Sequence, residues 1–421
     1  MMKKIYPLLT TLATAPLLAV SLAKKDLKKG ALRRFLPEKI EDANSDPNGK
    51  NIWIHAASAG EVQLANLFAK SYLQKQSGTN FLLTTNTNSG MDLSLAGPYN
   101  NVRHFPFDSY LVLKKIFKQF RPDAIVLVEL ELWPGLISMA KEFNVPVFVI
   151  NARVSASSVE KFTKLNNAFD SVLSWPIYLT RNDIDMDNLL KIGVELERIL
   201  VTGEMKIDLT LRSVNAEKKS PDKKILLAVS THPGEEQIIL EAFQKLRESD
   251  KDLKLLIAPR HQRRVPVVLK LAAKYGFAST AIAGYNVRDL DWAEVLIEDR
   301  FGRMNEWYAM ADLAIVGGSL VDAGCHNVIE PVLHHVPVIT GPYHGHWKEW
   351  ATMLDESGVL SSAQSAEDIS RIASMVMDSK DELLAYLVAA RARILQQTGV
   401  TERNTDLIVE TLAGGDPLGL D

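Results

Sequence analysis

Two acidic side chains that could take part in proton transfer stand directly after short apolar segments in the first half of the sequence. Glu61 follows Gly60 at a predicted strand-to-helix turn, and Glu129 follows the apolar run 124–128. A positioned carboxylate can remove the proton of an attacking hydroxyl group, so Glu61 is a candidate general base. A carboxylate at the second position could support positive charge that develops at the reacting carbon. The alternatives are a first-turn glutamate that complements the helix dipole and an ion pair between Glu129 and Arg153.

Cationic side chains suited to a departing phosphate occur at two further places. Lys206 stands just before a charged stretch without apolar periodicity, and an ammonium group can neutralise charge that builds up on a leaving phosphate. Arg260 follows Pro259 at the end of an apolar segment, and its planar guanidinium suits bidentate phosphate binding. The alternative for each cation is a solvated surface residue. For Arg260 this alternative is supported by the nearby Arg263 and Arg264, which form a run of arginines with it.

A third group of polar residues lies between 317 and 330. The segment Gly317-Gly318-Ser319 follows an apolar run and would let a ligand approach the backbone closely, as phosphate-binding loops do. Asn327 and Glu330 stand three residues apart at a predicted helix start. This spacing is typical of a pair that binds ribose hydroxyls, and equally of a helix cap in which the glutamate reaches back.

Short apolar segments alternate with helical patterns along the chain, which predicts an α/β fold. The segments are aliphatic or β-branched and bounded by polar turns, as expected for strands buried on both faces of a parallel sheet. They lie at 52–55, 81–85, 124–128, 147–150, 225–229, 253–258, 295–297, 313–316 and 336–339. Open parallel sheets bind ligands at the carboxyl ends of their strands, where the polar residues above gather. The sequence therefore predicts an active site in a cleft between two such sheets.

The chain length of 421 residues exceeds what one hydrophobic core usually serves, and it predicts two doubly wound domains. We expect an amino-terminal domain at 35–210, a linker at 211–222 and a carboxy-terminal domain at 223–421. The formal net charge of −3 argues against nucleic acid as the main partner. The single cysteine, Cys325, excludes an internal disulfide and a cysteine-rich metal cage. The histidines of the segment 344–346 have no further spaced ligands, so we expect no metal site.

Residues 1–34 form an apolar and basic segment that predicts membrane association. Positions 5–23 carry no charge, and most of the flanking lysines and arginines follow this stretch. That asymmetry favours an uncleaved anchor with the body of the protein on the cytoplasmic side. The alternatives are a segment lying in the membrane interface, a secretory signal and a buried helix.

Six polar segments in order resemble the Kdo transferases, the family that adds 3-deoxy-D-manno-oct-2-ulosonic acid (Kdo) to lipid A precursors. The resemblance rests on HAASAGE at 55–61, ELELWP at 129–134, NARVS at 151–155, TGEMKID at 202–208, PRH at 259–261 and NVIEP at 327–331. Each segment is a weak signal alone, but the ordered set spans nearly the whole chain.

The resemblance implies the GT-B fold, in which two tandem Rossmann-like domains face a central cleft. It implies CMP-Kdo as donor, lipid IVA as acceptor, no metal or other cofactor, and a place on the cytoplasmic side of the inner membrane in contact with its lipids. By resemblance Glu61 is the general base, Glu129 stabilises the transition state and Lys206 assists the departure of CMP. The residues implied to bind CMP are Pro259, Arg260, Gly302, Arg303, Met304, Asn327, Val328, Ile329 and Glu330.

Two other functions fit the coarse pattern of elements. One is a different GT-B nucleotide-sugar enzyme, such as an epimerase. The other is an exported two-domain solute-binding protein, whose mature chain would begin near Lys24.

Overall fold

A computed structural model of the protein describes residues 34, 40, 49–164, 170–214, 224–282, 293–300 and 302–415. The predicted membrane segment at 1–34 lies outside the described residues except for Arg34, and so does most of the predicted linker at 211–222. Among the residues that are described, no helix is both long and apolar enough to cross a membrane.

The chain divides into two compact units. Unit 1 contains Met1–Leu209 together with Gln397–Asp421, and unit 2 contains Thr210–Gln396. Each unit is built on one sheet of seven parallel strands. The strand order is β3-β2-β1-β4-β5-β6-β7 in unit 1 and β10-β11-β9-β8-β12-β13-β14 in unit 2.

The strands are short and follow the chain in numerical order. Their bounds are β1 Asn51–His55, β2 Asn80–Thr85, β3 Asn101–His104, β4 Ala124–Val128, β5 Val147–Ala152, β6 Ile177–Thr180, β7 Ile199–Val201, β8 Ile225–Thr231, β9 Lys254–Pro259, β10 Ser279–Ala281, β11 Val295–Ile297, β12 Leu313–Val316, β13 Val338–Thr340 and β14 Leu360–Ser362.

The α-helices of the described residues lie between these strands and after the last of them. Their bounds are α1 Ala59–Lys75, α2 Asn88–Ser94, α3 Tyr110–Phe120, α4 Pro134–Glu142, α5 Ala156–Lys164, α6 Asp170–Leu173, α7 Asp183–Lys191, α8 Met205–Ser213, α9 Glu235–Ser249, α10 Val265–Lys274, α11 Met304–Tyr308, α12 Ile329–Leu333, α13 Lys348–Glu356, α14 Ala366–Asp378, α15 Lys380–Leu395 and α16 Val400–Leu412.

Side-chain alternation in the central strands buries both faces of each sheet. In β1, Trp53 packs in one core with Phe117 of α3, whereas Ile52 and Ile54 belong to a second core that includes Phe68 of α1. Successive side chains of a strand point to opposite faces, so a strand covered by helices on both sides reads as a continuous apolar run. This burial is why the central strands were visible in the sequence.

Every strand predicted from the sequence is present within two residues of its predicted bounds. The sequence missed β3, β6, β7, β10 and β14. These strands contain only three or four residues each, and several of their side chains are only partly buried. Their pairing is decided by neighbouring strands rather than by their own apolar content.

The carboxy-terminal helix differs from its predicted place. The sequence assigned 223–421 to the second domain, but Gln397–Asp421 clusters with unit 1. Val400 of α16 lies in the same core as α1, and the Thr405 hydroxyl donates to the Ser71 hydroxyl at 3.1 Å. An amphipathic helix carries no signal about which sheet it covers, so only the folded chain shows this return.

The order of the strands reverses at one place in each sheet. In unit 1 this switch point lies between β1 and β4, and in unit 2 it lies between β8 and β12. The loops that leave neighbouring strands at a switch point run in opposite directions and leave a crevice, where doubly wound sheets bind ligands. Glu61 and Glu129 follow the two switch-point strands of unit 1.

Candidate active-site residues

The carboxylate of Glu61 is held in the first turn of α1, directly after β1. The hydroxyl of Ser58, the N-cap residue, donates to Glu61 Oε1 at 2.7 Å, and the Ala57 amide donates to Oε2 at 2.8 Å. The Glu61 amide in turn donates to the Ser58 hydroxyl oxygen at 3.4 Å. Glu61 therefore supports the helix start, as the structural alternative for this residue proposed.

The same carboxyl is also set up to hold or release a proton near neutral pH. Burial is the main cause that raises the pKa of Glu61 to about 7. The hydrogen bonds from Ser58 and Ala57 lower this pKa, and the negative charges of Glu129 and Glu131 raise it. A helix-capping glutamate in water would be fully ionised, so the environment of Glu61 fits acid–base chemistry as well.

Glu129 stands next to Lys206 at the end of β4. The Lys206 ammonium donates to Glu129 Oε1 at 3.2 Å, and the two side chains are 25% and 24% exposed. Arg153, the partner suggested by the sequence, is replaced in this role by Lys206. The backbone of Glu129 is left-handed, with φ of +60°. A non-glycine residue in that region costs about 1–3 kcal/mol, and such strain is typical of functional sites.

The position of Lys206 is fixed by a buried asparagine and an ion-pair network. The Met205 amide, at the start of α8, donates to Asn151 Oδ1 at 2.9 Å. The Lys206 amide donates to Glu204 Oε1 at 3.2 Å, and Arg181 donates to Glu204 Oε2 at 3.0 Å. Asn151 is fully buried and left-handed, with φ of +52°, a conformation that asparagine tolerates better than most residues.

Asp208 connects α8, the helix that carries Lys206, to the start of α16. Its carboxylate accepts hydrogen bonds from the Gly399 amide at 2.8 Å and the Thr401 amide at 2.7 Å, and so caps α16. Arg403 of α16 donates back to the Thr202 carbonyl at 2.9 Å. The segment 202–208 thus positions one cation and also holds the returning carboxy-terminal helix.

A buried histidine faces the second acid of the segment 129–134. His55 Nδ1 lies 3.0 Å from the Thr84 carbonyl oxygen, to which it donates a hydrogen bond. His55 Nε2 lies 3.6 Å from Glu131 Oε2, and Trp133 Nε1 donates to the same oxygen at 3.0 Å. The contact with His55 is the main cause that lowers the pKa of Glu131. Sequence reasoning had not identified this contact.

In unit 2 the glycine loop after β12 is occupied by a side chain of the protein itself. The carboxylate of Glu235, which is fully buried, accepts hydrogen bonds from the Gly318, Ser319 and Leu320 amides at 2.8, 3.0 and 2.9 Å. It also accepts one from the His232 amide at 2.8 Å. The close backbone approach predicted for a ligand at 317–319 is therefore made by Glu235.

Arg260 is exposed directly after β9, and Pro259 is the last residue of that strand. The Arg260 amide donates to the Thr231 carbonyl at 3.0 Å, which fixes the backbone next to the end of β8. Arg264 has a structural role instead, because its guanidinium makes a bidentate pair with the buried Glu236 at 3.2 and 3.0 Å. Within this run the structure thus separates an accessible arginine from a buried ion pair.

The segment Gly302-Arg303-Met304 forms the entry to α11. Gly302 has φ of +74°, which favours glycine, and both Gly302 and Arg303 are exposed. The Arg303 guanidinium pairs with Glu306 at 2.7 Å, one turn further along the chain. Met304 is partly buried and is the first residue of α11.

The segment 327–330 begins the short helix α12. Asn327 Oδ1 accepts from the Ile329 and Glu330 amides at 3.0 and 3.3 Å, and Asn327 Nδ2 donates to the Thr210 hydroxyl at 3.0 Å. The Val328 and Ile329 side chains are buried, so only their backbone is available to a ligand.

Glu330 does not form the second half of a capping box. It faces the Tyr308 hydroxyl, and burial raises the pKa of the Glu330 carboxyl to about 7. The sequence left two alternatives for Asn327 and Glu330, a pair that binds ribose hydroxyls and a helix cap. The structure shows a cap formed by the Asn327 side chain, to which the Glu330 side chain does not contribute.

Within the described ranges, no group of three or more His, Cys, Asp or Glu side chains is arranged to hold a metal ion. His344 Nε2 hydrogen-bonds the Thr340 hydroxyl at 3.0 Å. The expectation that the reaction needs no metal stays a prediction.

Comparison with known proteins identifies relatives over most of the chain. A family model described as 3-deoxy-D-manno-octulosonic-acid transferase (kdotransferase) matches residues 31–209. A 3-deoxy-D-manno-octulosonic acid transferase of Haemophilus influenzae is 30% identical over 375 residues, which cover 86% of this chain and 88% of that protein. A protein of the same description from Aquifex aeolicus is 29% identical, covering 78% of this chain and 85% of its own length.

Solved structures with low sequence identity share the fold. A putative UDP-N-acetylglucosamine 2-epimerase from Listeria monocytogenes aligns with a TM-score of 0.62 at 15% identity, over 87% of this chain and 98% of that one. A glycosyltransferase from Rickettsia africae aligns with a TM-score of 0.59 at 13% identity, over 87% and 99%. These likenesses, with the two parallel sheets, confirm the GT-B fold class predicted from the sequence.

Proposed function

The chain belongs to the 3-deoxy-D-manno-octulosonic acid transferases, and we propose that it moves Kdo from CMP-Kdo onto lipid IVA with Glu61 as the general base. The observation that carries the catalytic part is the cluster at the unit 1 switch point. There, a carboxyl with a pKa of about 7 lies close enough to the Glu129 carboxylate for that charge to raise its pKa, and Glu129 pairs with Lys206.

In the proposed reaction, a hydroxyl oxygen of the acceptor attacks the anomeric carbon of Kdo. The hydroxyl proton passes to Glu61, a new carbon–oxygen bond forms, and the bond between the anomeric carbon and the CMP phosphate breaks. The electron pair of that bond leaves on a phosphate oxygen of CMP. A base is most effective when its pKa lies near the working pH, which supports Glu61 over the more exposed acids.

Glu129 and Lys206 act on charge rather than on the proton in this proposal. The anomeric carbon becomes positive as CMP departs, and a carboxylate at 129 favours that state. The ammonium of Lys206 opposes the negative charge that grows on the leaving phosphate. Their 3.2 Å contact keeps both side chains in place before substrates bind.

Unit 2 supplies the residues proposed to hold CMP. The exposed Arg260 guanidinium can bind phosphate oxygens through two donors, and Pro259 sets its backbone. Gly302, Arg303 and Met304, and the backbone of 327–330 with the Glu330 carboxyl, are proposed to contact the nucleoside. No metal is required in this scheme, because cationic side chains offset the phosphate charge.

We further propose that the protein works at the cytoplasmic face of the inner membrane. The basic cluster around positions 24–34 follows an uncharged stretch, and anionic headgroups attract such clusters. Sedimentation with anionic and with neutral lipid vesicles tests this proposal. We expect binding to anionic vesicles that weakens with added salt, and equal binding to both kinds of vesicle would contradict the electrostatic part.

The activity itself is tested by incubating the purified protein with CMP-Kdo and lipid IVA and weighing the lipid product. We expect the acceptor mass to increase by whole Kdo residues, with CMP released in proportion. A parallel incubation with UDP-N-acetylglucosamine tests whether the protein acts on a UDP-sugar instead, since UDP-N-acetylglucosamine epimerases share its fold. Product from the UDP-sugar alone, with the acceptor mass unchanged by CMP-Kdo, would contradict the proposed substrates.

A further inference from the structure

A tyrosine hydroxyl and a glutamate carboxyl form a hydrogen bond between two short helices of unit 2. Tyr308 is the last residue of α11, and Glu330 is the second residue of α12. Tyr308 is only 2% exposed, and burial is the main cause that raises the pKa of its hydroxyl. This hydroxyl therefore keeps its proton and donates the hydrogen bond to the Glu330 carboxyl. We call these two residues the tyrosine–glutamate pair.

The position of Tyr308 is fixed by contacts of α11 with two neighbouring elements. The ring of His334 stacks on the Tyr308 ring, with centroids 5.4 Å apart and 25° between the planes. His334 Nε2 also hydrogen-bonds Asn305 Oδ1, one turn before Tyr308, at 3.0 Å. Trp307 Nε1 donates to the buried carboxylate of Glu298, which follows β11. The direction of the tyrosine hydroxyl is therefore set by packing.

The Glu330 carboxyl is only partly accessible and has few hydrogen-bond donors. The Glu330 amide donates to Asn327 Oδ1 at 3.3 Å, so the helix start is capped without this carboxyl. Among the residues that the structure describes, Tyr308 is the side chain that donates to it. Burial is the main cause that raises the pKa of Glu330 to about 7, and the Tyr308 hydrogen bond lowers this pKa. Near neutral pH about half of the molecules therefore hold Glu330 in its uncharged form.

The charged groups of the neighbouring elements are occupied elsewhere. His334 lies one turn further along the chain, and burial is the main cause that lowers its pKa to about 4, so it is neutral at pH 7. Arg391 of α15 donates to the Leu333 carbonyl at 3.1 Å. Arg303, at the start of α11, forms an ion pair with Glu306 at 2.7 Å. The charge of the ionised carboxyl is thus left to be balanced by hydrogen bonds.

A pair of hydroxyls on adjacent carbons fits such a carboxyl. Both ribose hydroxyls can donate to one carboxylate, and hydrogen bonds to a charged acceptor are stronger than those to a neutral one. A protonated carboxyl carries hydrogen on one of its oxygens and so has less capacity to accept. Hydrogen bonds to the charged form lower a pKa, so a ribose bound at this carboxyl favours loss of its proton.

We propose that Tyr308 is a positioning residue that aims the Glu330 carboxylate at the ribose hydroxyls of the nucleotide, and that ribose binding releases the Glu330 proton to the solvent. This inference rests on the proposed function, because the CMP-sugar donor supplies the ribose. It makes the selectivity for ribose depend on pH and on a buried residue that does not touch the nucleotide.

The test compares the affinities of CMP and 2′,3′-dideoxy-CMP between about pH 5.5 and 8.5, on both sides of the raised pKa of Glu330. The two nucleotides carry the same phosphate, so the ratio of their dissociation constants reports on the ribose hydroxyls alone. We expect the preference for CMP to rise roughly tenfold with pH and to become constant above about pH 7. This rise follows the ionisation of Glu330.

Tyr308→Phe removes the hydroxyl from the tyrosine–glutamate pair and keeps the ring. Because the lost hydrogen bond lowers the pKa of Glu330, the rise should move to higher pH, and the preference at pH 7 should fall roughly threefold. In Glu330→Gln the preference should not depend on pH, since an amide does not titrate. Tyr275→Phe is the matched control, because the Tyr275 hydroxyl also donates to a glutamate, Glu241 of α9, at 2.7 Å. It should leave the preference and its pH dependence unchanged.

Two results would overturn the inference. One is a preference for CMP that stays constant over this pH range in the unaltered protein, which needs no substitution to observe. The other is the same pH dependence in Tyr308→Phe and in the unaltered protein, which would leave the tyrosine a packing role only. Both results are compatible with Kdo transfer, whereas failure of the unaltered protein to bind CMP at any pH would contradict the proposed function.

Discussion

Glu61 of unit 1 and Glu235 of unit 2 occupy the same topological position and have different environments. Each follows a glycine in the first turn of the helix after a switch-point strand. Glu61 accepts two hydrogen bonds, one from the Ala57 amide and one from the Ser58 hydroxyl, whereas Glu235 accepts four, all from backbone amides of His232 and the loop 318–320. Glu61 is 9% exposed and Glu235 is fully buried.

This difference shows how one local pattern yields a carboxyl group with a raised pKa in one unit and a carboxylate that joins two loops in the other. A carboxylate with four amide donors is satisfied and has no further task. A carboxylate with fewer donors, near other acids, is costly to ionise and can exchange a proton. The charges of the two edges follow this division, with acids and one lysine in unit 1, and imidazoles and arginines in unit 2.

The largest expected effect is the loss of transfer in Glu61→Gln. The amide cannot accept a proton from the acceptor hydroxyl, so kcat should fall roughly a hundredfold to ten-thousandfold. The measurement is the rate of lipid product formation at saturating donor. Gln63→Ala, at an exposed position of the same helix, is the control and should keep its rate. Near-normal kcat in a folded Glu61→Gln protein would exclude Glu61 as the base.

Glu235→Ala should lower the free energy of unfolding of the protein, independently of any effect on the transfer reaction. It leaves four buried or half-buried amides without acceptors, and we expect a loss of at least about 3 kcal/mol, since each unsatisfied group costs about 1–3 kcal/mol. Thermal unfolding followed by circular dichroism should show a decrease in Tm of roughly 6–12 °C. Glu248→Ala on the exposed side of α9 should change Tm little. An unchanged Tm in Glu235→Ala would contradict the structural role.

The pH dependence of transfer distinguishes a titrating Glu61 from a permanently ionised one. The base must be ionised, so kcat/KM should rise with pH through about 7, the pKa of Glu61. In Glu129→Gln a neighbouring negative charge is removed, which lowers the pKa of Glu61 and moves the rising limb to lower pH. A limb at the same pH in both proteins would exclude coupling between the two carboxyl groups.

The free energy of unfolding should also depend on the ionisation of Glu61, but it should decrease as the pH rises, whereas kcat/KM should increase. The pKa of Glu61 is higher in the folded than in the unfolded chain, so its contribution is full below pH 4.5 and is lost as pH rises through about 7. Glu330 acts in the same direction, because its pKa is also raised to about 7. Thermal unfolding between pH 4.5 and 8 should therefore show a smaller decline in both Glu61→Gln and Glu330→Gln.

The smallest expected effect is that of Asp208→Asn on the carboxy-terminal helix. Loss of the charged cap of α16 should cost about 1 kcal/mol and reduce transfer less than tenfold, because Asp208 lies only two residues from Lys206 on α8 and does not itself take part in the proposed reaction. Asp406→Asn is the control, since its ion pair with Lys75 on the surface contributes little. An equal loss of stability in both variants would show that the cap has no special role.

Glu61 and Glu129 were predicted from the sequence because each stands at a visible boundary between an apolar strand and a polar turn, and Lys206 because it precedes a charged stretch and lies in the family segment 202–208. The same signal could have drawn attention to Glu235, which follows Gly234 as Glu61 follows Gly60. What the pattern did not reveal was the partner of each group. Glu129 pairs with Lys206 rather than with Arg153, and the glycine loop binds Glu235. Both contacts join residues more than 70 positions apart along the chain.

The sequence alone determined the α/β class, the central strands of both sheets and the family. A strand that is buried on both faces consists of consecutive apolar residues, so the central strands could be recognised. The family could be recognised because its polar segments occur in a fixed order. The tertiary structure decided the short edge strands, the return of α16 to unit 1 and the meeting of His232 with His326. These features depend on which distant loops the strand order brings side by side. The local sequence around a residue does not show which residue contacts it from 94 positions away, as His326 contacts His232.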